Sequence, residues 1–229
     1  MTAVHRLVHH PYMIGCRYAL GDRSLELLTN IFSSSSSRGR AVLEGRASVH
    51  FITLPEVGPV VVKTYRRGGV LSWINRDRYV KSGQLRSQRE FDFLIAAQKA
   101  GVRVPVPVAY VVTRAWFYKA WLVTREVKGH QSFARLCRVN PEKARTFIPE
   151  ISRNIACLIK QGIHHVDLHP GNIILDKNNT VFVIDFDKAC WCSKNETRLA
   201  EAYQNRWARA VHKYNLPKPL TCLELTERC

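Results

Sequence analysis

Two stretches restrict this chain more than any other feature: His-His-Val-Asp-Leu-His-Pro-Gly-Asn at 164–172, and Val-Phe-Val-Ile-Asp at 181–185. The first sets a carboxylate, Asp167, and an amide, Asn172, in the spacing H-x-D-x-x-x-x-N within a turn of His, Pro and Gly. The second ends an apolar strand on another carboxylate, Asp185. Between them, NIILDKNNTVFVID reads as a hairpin with Asn178-Asn179 at its turn. A fold that closes this hairpin beside the 167–172 turn brings three oxygen-bearing side chains together. Oxygen ligands without thiolate suit a hard cation such as Mg2+, with phosphates completing its shell.

The rest of the chain supplies the frame. AVLEGRASVHFITLPEVGPVVVKTYRRGG alternates apolar and polar residues around Pro and Gly breaks, which predicts strands near 40–44, 47–54 and 59–65 in an antiparallel meander. Residues 87–100 suit a helix stopped by Gly101. Two further strands follow in VRVPVPVAYVV and KAWLVTREV, the first pushed towards a sheet edge by Pro105 and Pro107. Apolar residues at 148, 151, 155, 158 and 159 predict a helix over 141–161, kinked or delayed by Pro149. Residues 195–215 read as a last helix with Trp207 and Val211 on one side. Strands and a helix followed by helices around a hairpin give an α+β, two-lobed plan. Its expected parts are an extension over 1–37, a sheet-bearing lobe and hinge over 38–127, and a short, mainly helical lobe over 128–229.

Charge narrows the partners. The chain carries 35 Lys and Arg against 18 Asp and Glu, a formal charge of +17. Such an excess favours a polyanion: nucleic acid, an anionic membrane surface or a phosphorylated substrate. No apolar run approaches a membrane span, and the first twenty residues lack a signal-peptide core. The expectation is a cytosolic protein that at most touches a membrane from that side. With no C-x-x-C, and Cys190 and Cys192 only one residue apart, a cysteine zinc site is disfavoured.

Phosphoryl transfer needs a cation on the nucleotide phosphates, oxygen ligands for magnesium, and a carboxylate for the acceptor proton. Lys63 ends the apolar strand VVVK, and Glu90 on the following helix is placed to pair with it. Asp167 takes the general-base role, while Asn172 and Asp185 hold the metal. Gly45 in LEGRAS, before a strand, lets backbone approach the phosphates. Each residue alone has a plainer reading: Lys63 as a solvated charge, Glu90 as a surface residue, and His164, His165 and His169 as hydrogen-bonding scaffold rather than zinc ligands. Asp187 reads equally as a third acidic ligand or a turn cap. The joint order and spacing of Asp167, Asn172 and Asp185 outweighs those readings.

HHVDLHPGNIILD with VFVIDFD resembles the catalytic core of protein-kinase-like phosphotransferases. Upstream, KTYRRGGVLSWINRDRYVKSGQLRSQREFDFL, with GVRVPVPVAYVV and WLVTREV, resembles the bacterial lipopolysaccharide kinases, in particular the 3-deoxy-D-manno-octulosonic acid (Kdo) kinases. The resemblance covers about 38–190. It implies transfer of the ATP γ-phosphate to a sugar hydroxyl of the lipopolysaccharide inner core, by a peripheral protein at the cytoplasmic face of the Gram-negative inner membrane. It implies Asp167 as catalytic residue, Asn172 and Asp185 as Mg2+ ligands, Lys63 as nucleotide cation, and the backbone of Arg125, Glu126 and Val127 as the hinge to adenine. The pattern departs at Val166, where many kinases have Arg, and at Asp187, where they have Gly.

The basic segment containing Arg66, Arg67, Arg76, Arg78 and Arg86, interleaved with Tyr65, Trp73 and Tyr79, is then expected to meet an anionic glycolipid at a membrane surface, with no nucleic acid partner. The short stretch after Asp187 disfavours a protein substrate. Three alternatives stand beside this reading: a heptose kinase of the same family, a soluble aminoglycoside-type phosphotransferase, and a non-catalytic basic pseudokinase.

Overall fold

The computed structural model describes residues 4–33, 48–65, 79–80, 85–114, 117–193, 195–217 and 220–225. Gly45, Arg66, Arg67, Arg76 and Arg78, and the strand expected near 40–44, lie outside the described residues. The chain forms two compact units, one of residues 1–92 and 106–126, the other of 93–105 and 127–229.

The first unit is built on an antiparallel sheet. Its elements are β1 (His5–His9), β2 (Tyr12–Cys16), α1 (Asp22–Ser33), β3 (Ser48–Leu54), β4 (Gly58–Thr64), the short β5 (Tyr79–Val80), the start of α2 (Arg86–Lys99), β6 (Pro107–Thr113), β7 (Phe117–Tyr118) and β8 (Ala120–Arg125). Six strands lie in the order β1-β2-β6-β8-β4-β3, and β5 pairs with β7 apart from them. Residues 1–37, set apart in sequence as an extension, thus carry two strands of this sheet and a helix that covers it. Leu25, Leu28 and Phe32 of α1 share a core with Val60, Val62, Val111, Trp121 and Val123. On the other side Tyr110 of β6 meets Phe91 of α2 edge-on, 5.4 Å between ring centroids.

A strand covered on both faces must be apolar throughout, and Pro-Val-Ala-Tyr-Val-Val fits that demand. So β6 is central rather than at an edge. Pro107 stands as its first residue, beside a register shift, where a missing N–H breaks no regular ladder. The neighbouring Gly15 is opposite Tyr110, and a Cβ there would fall 2.2 Å from the tyrosine ring.

The second unit contains β9 (Gln131–Ser132), α3 (Phe133–Val139), α4 (Pro141–Arg145), α5 (Ile148–Lys160), β10 (Ile163–His164), β11 (Ile173–Leu175), β12 (Val181–Val183), β13 (Cys190–Trp191) and α6 (Glu196–Lys213). The helix expected over 141–161 is two helices. The chain breaks at Thr146-Phe147, and Pro149 falls in the first turn of α5, where its absent N–H leaves no bond unmade. The predicted stripe of α5 is buried: Ile148, Ile151, Ile155, Leu158 and Ile159. β11 and β12 form the expected hairpin, but its turn is wider than two residues. Asp176 Oδ1 accepts from the amides of Asn178 and Thr180, and Asn179 takes a left-handed φ of 62°. Helix α6 buries Leu199, Tyr203, Trp207, Ala210 and Val211 along one face.

Candidate active site

In the first unit, strand alternation places the candidate cation. Val60 and Val62 of β4 point into the core shared with α1, which turns Lys63 the other way. Its Nζ lies 3.0 Å from both carboxylate oxygens of Glu90 on α2. Glu90 is 2% exposed, so its charge needs compensation, and it has a second donor in the hydroxyl of Tyr65. Tyr65, expected at a lipid interface, is instead buried. Its ring also carries Lys63 at 5.2 Å and the guanidinium of Arg86 at 5.1 Å. Arg86 therefore stacks on the tyrosine it was expected to flank at a membrane.

In the second unit, short hydrogen bonds tie the 164–172 turn to the end of the hairpin. Asn172 Nδ2 donates to the carbonyl of Asp167 at 2.9 Å. The amide of Ile184 donates to the carbonyl of Asn172 at 3.0 Å. His165 Nε2 meets the carbonyl of Ile184 at 3.0 Å, and can do so only as an N–H donor. These three bonds fix Asp167, Asn172 and the residue before Asp185 against one another. Asp185 itself is left-handed, with φ 66° and ψ 61°, and opens a single 3-10 turn over Phe186–Lys188. Asp tolerates that region better than most residues, yet such backbone costs on the order of 1–3 kcal/mol and collects at functional sites.

His165 is fully buried, and burial pushes its imidazole below the ordinary value against the pull of the Ile184 carbonyl, Asp185 and Asp167. It is neutral scaffold, and its Nδ1 has no hydrogen-bond partner among the described residues. His169 Nδ1 accepts from the amide of Gly171, a second scaffolding role. The amide of His165 donates to the hydroxyl of Tyr203, which donates in turn to the carbonyl of Ile163. One tyrosine of α6 therefore clamps the entry to the turn.

The same helix supplies a residue that sequence reading missed. Arg206, one turn beyond Tyr203, places Nη2 2.7 Å from Asp167 Oδ1, while Lys188 Nζ lies 3.2 Å from Oδ2. Burial works to raise the Asp167 carboxyl, but hydrogen bonds from Arg206 and then Lys188 outweigh it and hold the group below the ordinary carboxylate range. Asp167 is consequently ionised at neutral pH, a weak base suited to orienting a hydroxyl and accepting its proton late in transfer. Position 166, where many kinases have Arg, is here an exposed Val. The signal for Arg206 was present but faint: a cation flanked by the inward-facing Tyr203 and Trp207. Lys188, three residues after Asp185, looked like any charge after a strand.

The remaining candidates are placed as follows. The amides of Arg125 and Glu126 already donate within the first unit, to Val106 and Pro59, and the Val127 carbonyl lies 2.8 Å from His130 Nδ1. Asp187 is buried at the 3-10 turn.

The family model for the lipopolysaccharide kinase (Kdo/WaaP) family matches residues 35–216. The chain belongs to that family. Among relatives, the 3-deoxy-D-manno-octulosonic acid kinase of Xylella fastidiosa (strain 9a5c) is 34% identical over 173 residues, covering 71% of this chain and 68% of that protein. The kinase of the same name from Vibrio vulnificus (strain YJ016) is 31% identical over 178 residues, 73% and 75% of the two chains. That of Vibrio parahaemolyticus is 26% identical over 219 residues, 89% and 91% of the two. A solved MAP kinase, LmaMPK10 from Leishmania major, is 20% identical at a TM-score of 0.48, over 73% of this chain and 51% of that one. As a lipopolysaccharide kinase the chain is a phosphotransferase that acts on a hydroxyl, in the α+β architecture expected from its sequence.

Proposed function

We propose that this lipopolysaccharide kinase transfers the γ-phosphoryl group of ATP to a hydroxyl of Kdo in Kdo-lipid A. The observation that carries this reading is the set of hydrogen bonds joining Asp167, Asn172 and Ile184, in a chain whose relatives are Kdo kinases. In the proposed step the acceptor oxygen bonds to the γ-phosphorus as the bond to the β–γ bridging oxygen breaks. ADP leaves, and the hydroxyl proton passes to Asp167. Lys63, held by Glu90 and Tyr65, is the cation for the nucleotide phosphates, and its two anchors keep its ammonium from wandering.

The donor set fits a hard divalent cation. Asn172 spends its Nδ2 on the Asp167 carbonyl, which orients its Oδ1 as the ligand atom, and Asp185 follows one residue after the amide bonded to Asn172. Asn172 and Asp185 would hold Mg2+, which neutralises phosphate charge when bound. No histidine or thiolate is needed.

The lipid-linked acceptor and the charge of +17 support peripheral contact with the anionic cytoplasmic face of the inner membrane. Among the described residues no helix is long and apolar enough to cross a membrane. Replacing Arg66, Arg67, Arg76 and Arg78 by Gln is expected to weaken binding to anionic vesicles and flatten its salt dependence; an unchanged salt profile removes that segment from the membrane role. The acceptor is tested by transfer of labelled γ-phosphate from Mg-ATP to Kdo-lipid A, beside heptosylated core and an aminoglycoside. Label on Kdo supports the reading. Label on heptose moves the acceptor within the family, and label on the aminoglycoside alone overturns it.

A further inference from the structure

Asp167 carries one negative charge and is paired with two cations. Two cations from separate elements grip it, Arg206 of α6 on one oxygen and Lys188 of the 3-10 turn on the other. Together they leave one positive charge in excess beside the acceptor hydroxyl's base. They make sense if a second anion must sit beside the reacting hydroxyl, because a carboxylate brought next to ionised Asp167 would otherwise be repelled. An ulosonic acid is such an acceptor: it presents a carboxylate on the same sugar as the hydroxyl.

We infer that Arg206 and Lys188 form the seat for the carboxylate of the acidic sugar, and so decide between acidic and neutral acceptors. This rests on the acceptor proposed above. The geometry allows it without releasing Asp167. Arg206 reaches Asp167 through one nitrogen of a guanidinium that carries five N–H donors, and Lys188 has three donors on a mostly solvent-facing head, 64% exposed. Arg206 is steadied from its own helix, since Tyr203 is bonded to Ile163 and His165 one turn before it, and Trp207 Nε1 donates to the Leu220 carbonyl at 2.8 Å. A guanidinium fixed at its base, with donors remaining at its tip, is suited to planar recognition of a carboxylate. Lys188 follows the Asp185 turn, so its position is set by the hairpin that carries the proposed metal ligand.

The test compares Kdo-lipid A with its C1 carboxamide, in the same detergent micelles, as acceptors for wild type, Arg206→Gln and Lys188→Gln. With wild type, the carboxamide is expected to raise the acceptor KM roughly 10–100-fold, the worth of a charge-assisted hydrogen bond. With Arg206→Gln, the acid itself should show a KM raised to a similar degree, and the carboxamide should add little further. The KM for Mg-ATP should not move. Lys188→Gln, at a largely exposed position, repeats the test where misfolding is not a concern, with a smaller loss of the same kind. An equal carboxamide penalty in wild type and both variants overturns the seat while leaving the Kdo reading intact. So does a fall in kcat that is the same for acid and amide, which marks the cations as positioning Asp167 alone. Transfer by wild type to neither acid nor amide sinks the acceptor assignment itself.

Discussion

The chain holds two ion-pair clusters of similar composition and opposite exposure. In the first unit, Lys63 meets Glu90 with both carboxylate oxygens at 3.0 Å, Tyr65 donates to the same group, and Glu90 is sealed from water. In the second, Asp167 is gripped by Arg206 and Lys188 but keeps 34% of its side chain exposed. A carboxylate sealed in this way cannot lose its partners without stranding a charge in a poor solvent, so Glu90 acts as a fixed strut for Lys63. A half-open pair can admit a hydroxyl, since an ionised carboxylate has about four acceptor sites and two are taken. The comparison separates a group that positions from a group that reacts.

The largest expected effect breaks the reacting side. Asp167→Ala should lower turnover by roughly 10²–10⁴-fold while ATP affinity stays close to wild type, because the side chain serves the acceptor proton. Single-turnover transfer and nucleotide titration on the same preparation check both halves. Wild-type turnover would remove Asp167 from the chemistry. The fixed side should fail differently. Glu90→Ala leaves Lys63 and the Tyr65 hydroxyl without their buried acceptor, and should cost about 3–5 kcal/mol of stability in urea unfolding. If Glu90→Ala unfolds at wild-type denaturant and Asp167→Ala does not, the contrast is inverted.

How much of this was legible depended on whether the information is local. The 164–172 turn and the hairpin are written in contiguous residues, so the positions of Asp167, Asn172 and Asp185 could be named in advance. Lys63 and Glu90 were legible as a strand end and a helix position that topology brings together. What failed was decided at long range. Pro105 and Pro107 argued for an edge, but burial on both faces made β6 central. Tyr65 looked interfacial among arginines, and only the fold shows that Glu90 needs its hydroxyl. Arg206 is separated from Asp167 by 39 positions, and its place between the inward-facing Tyr203 and Trp207 is a faint local sign that does not point to Asp167. Residues 5–33 carried no motif, yet they complete the sheet.

Acid offers a middle-sized test that acts on the scaffold rather than on either pair. His165 is buried neutral, with its proton affinity below the ordinary value of 6.5. The unfolded imidazole takes up a proton as pH falls through about 6.5, while the folded one does not until lower pH. The unfolded state therefore binds more protons in that window, and stability should fall on acidification. Asp167, held below the carboxylate range, does not titrate there. Urea midpoints from about pH 7.5 to about pH 5 should decline for wild type and decline less for His165→Gln, in which His169, also held below its ordinary value by burial and by Arg206, remains. An equal decline in the variant assigns the acid sensitivity to another group.

The smallest effect sharpens the comparison most, because it concerns the same charge type in the more exposed setting. Lys188 donates to Asp167 at 3.2 Å, but 64% of its side chain is in solvent, against 22% for Lys63. In water the attraction is screened, and ordering a long side chain costs entropy comparable to the gain, so such a pair contributes about 0–1 kcal/mol. Lys188→Gln should therefore leave the urea midpoint within that range, with any difference shrinking as salt is raised. Asp167 would still have Arg206 at 2.7 Å, so no buried charge is abandoned. A loss near that of Glu90→Ala would mean that the catalytic side is as rigidly braced as the nucleotide side, and Asp167 could not then share its cations with an arriving acid.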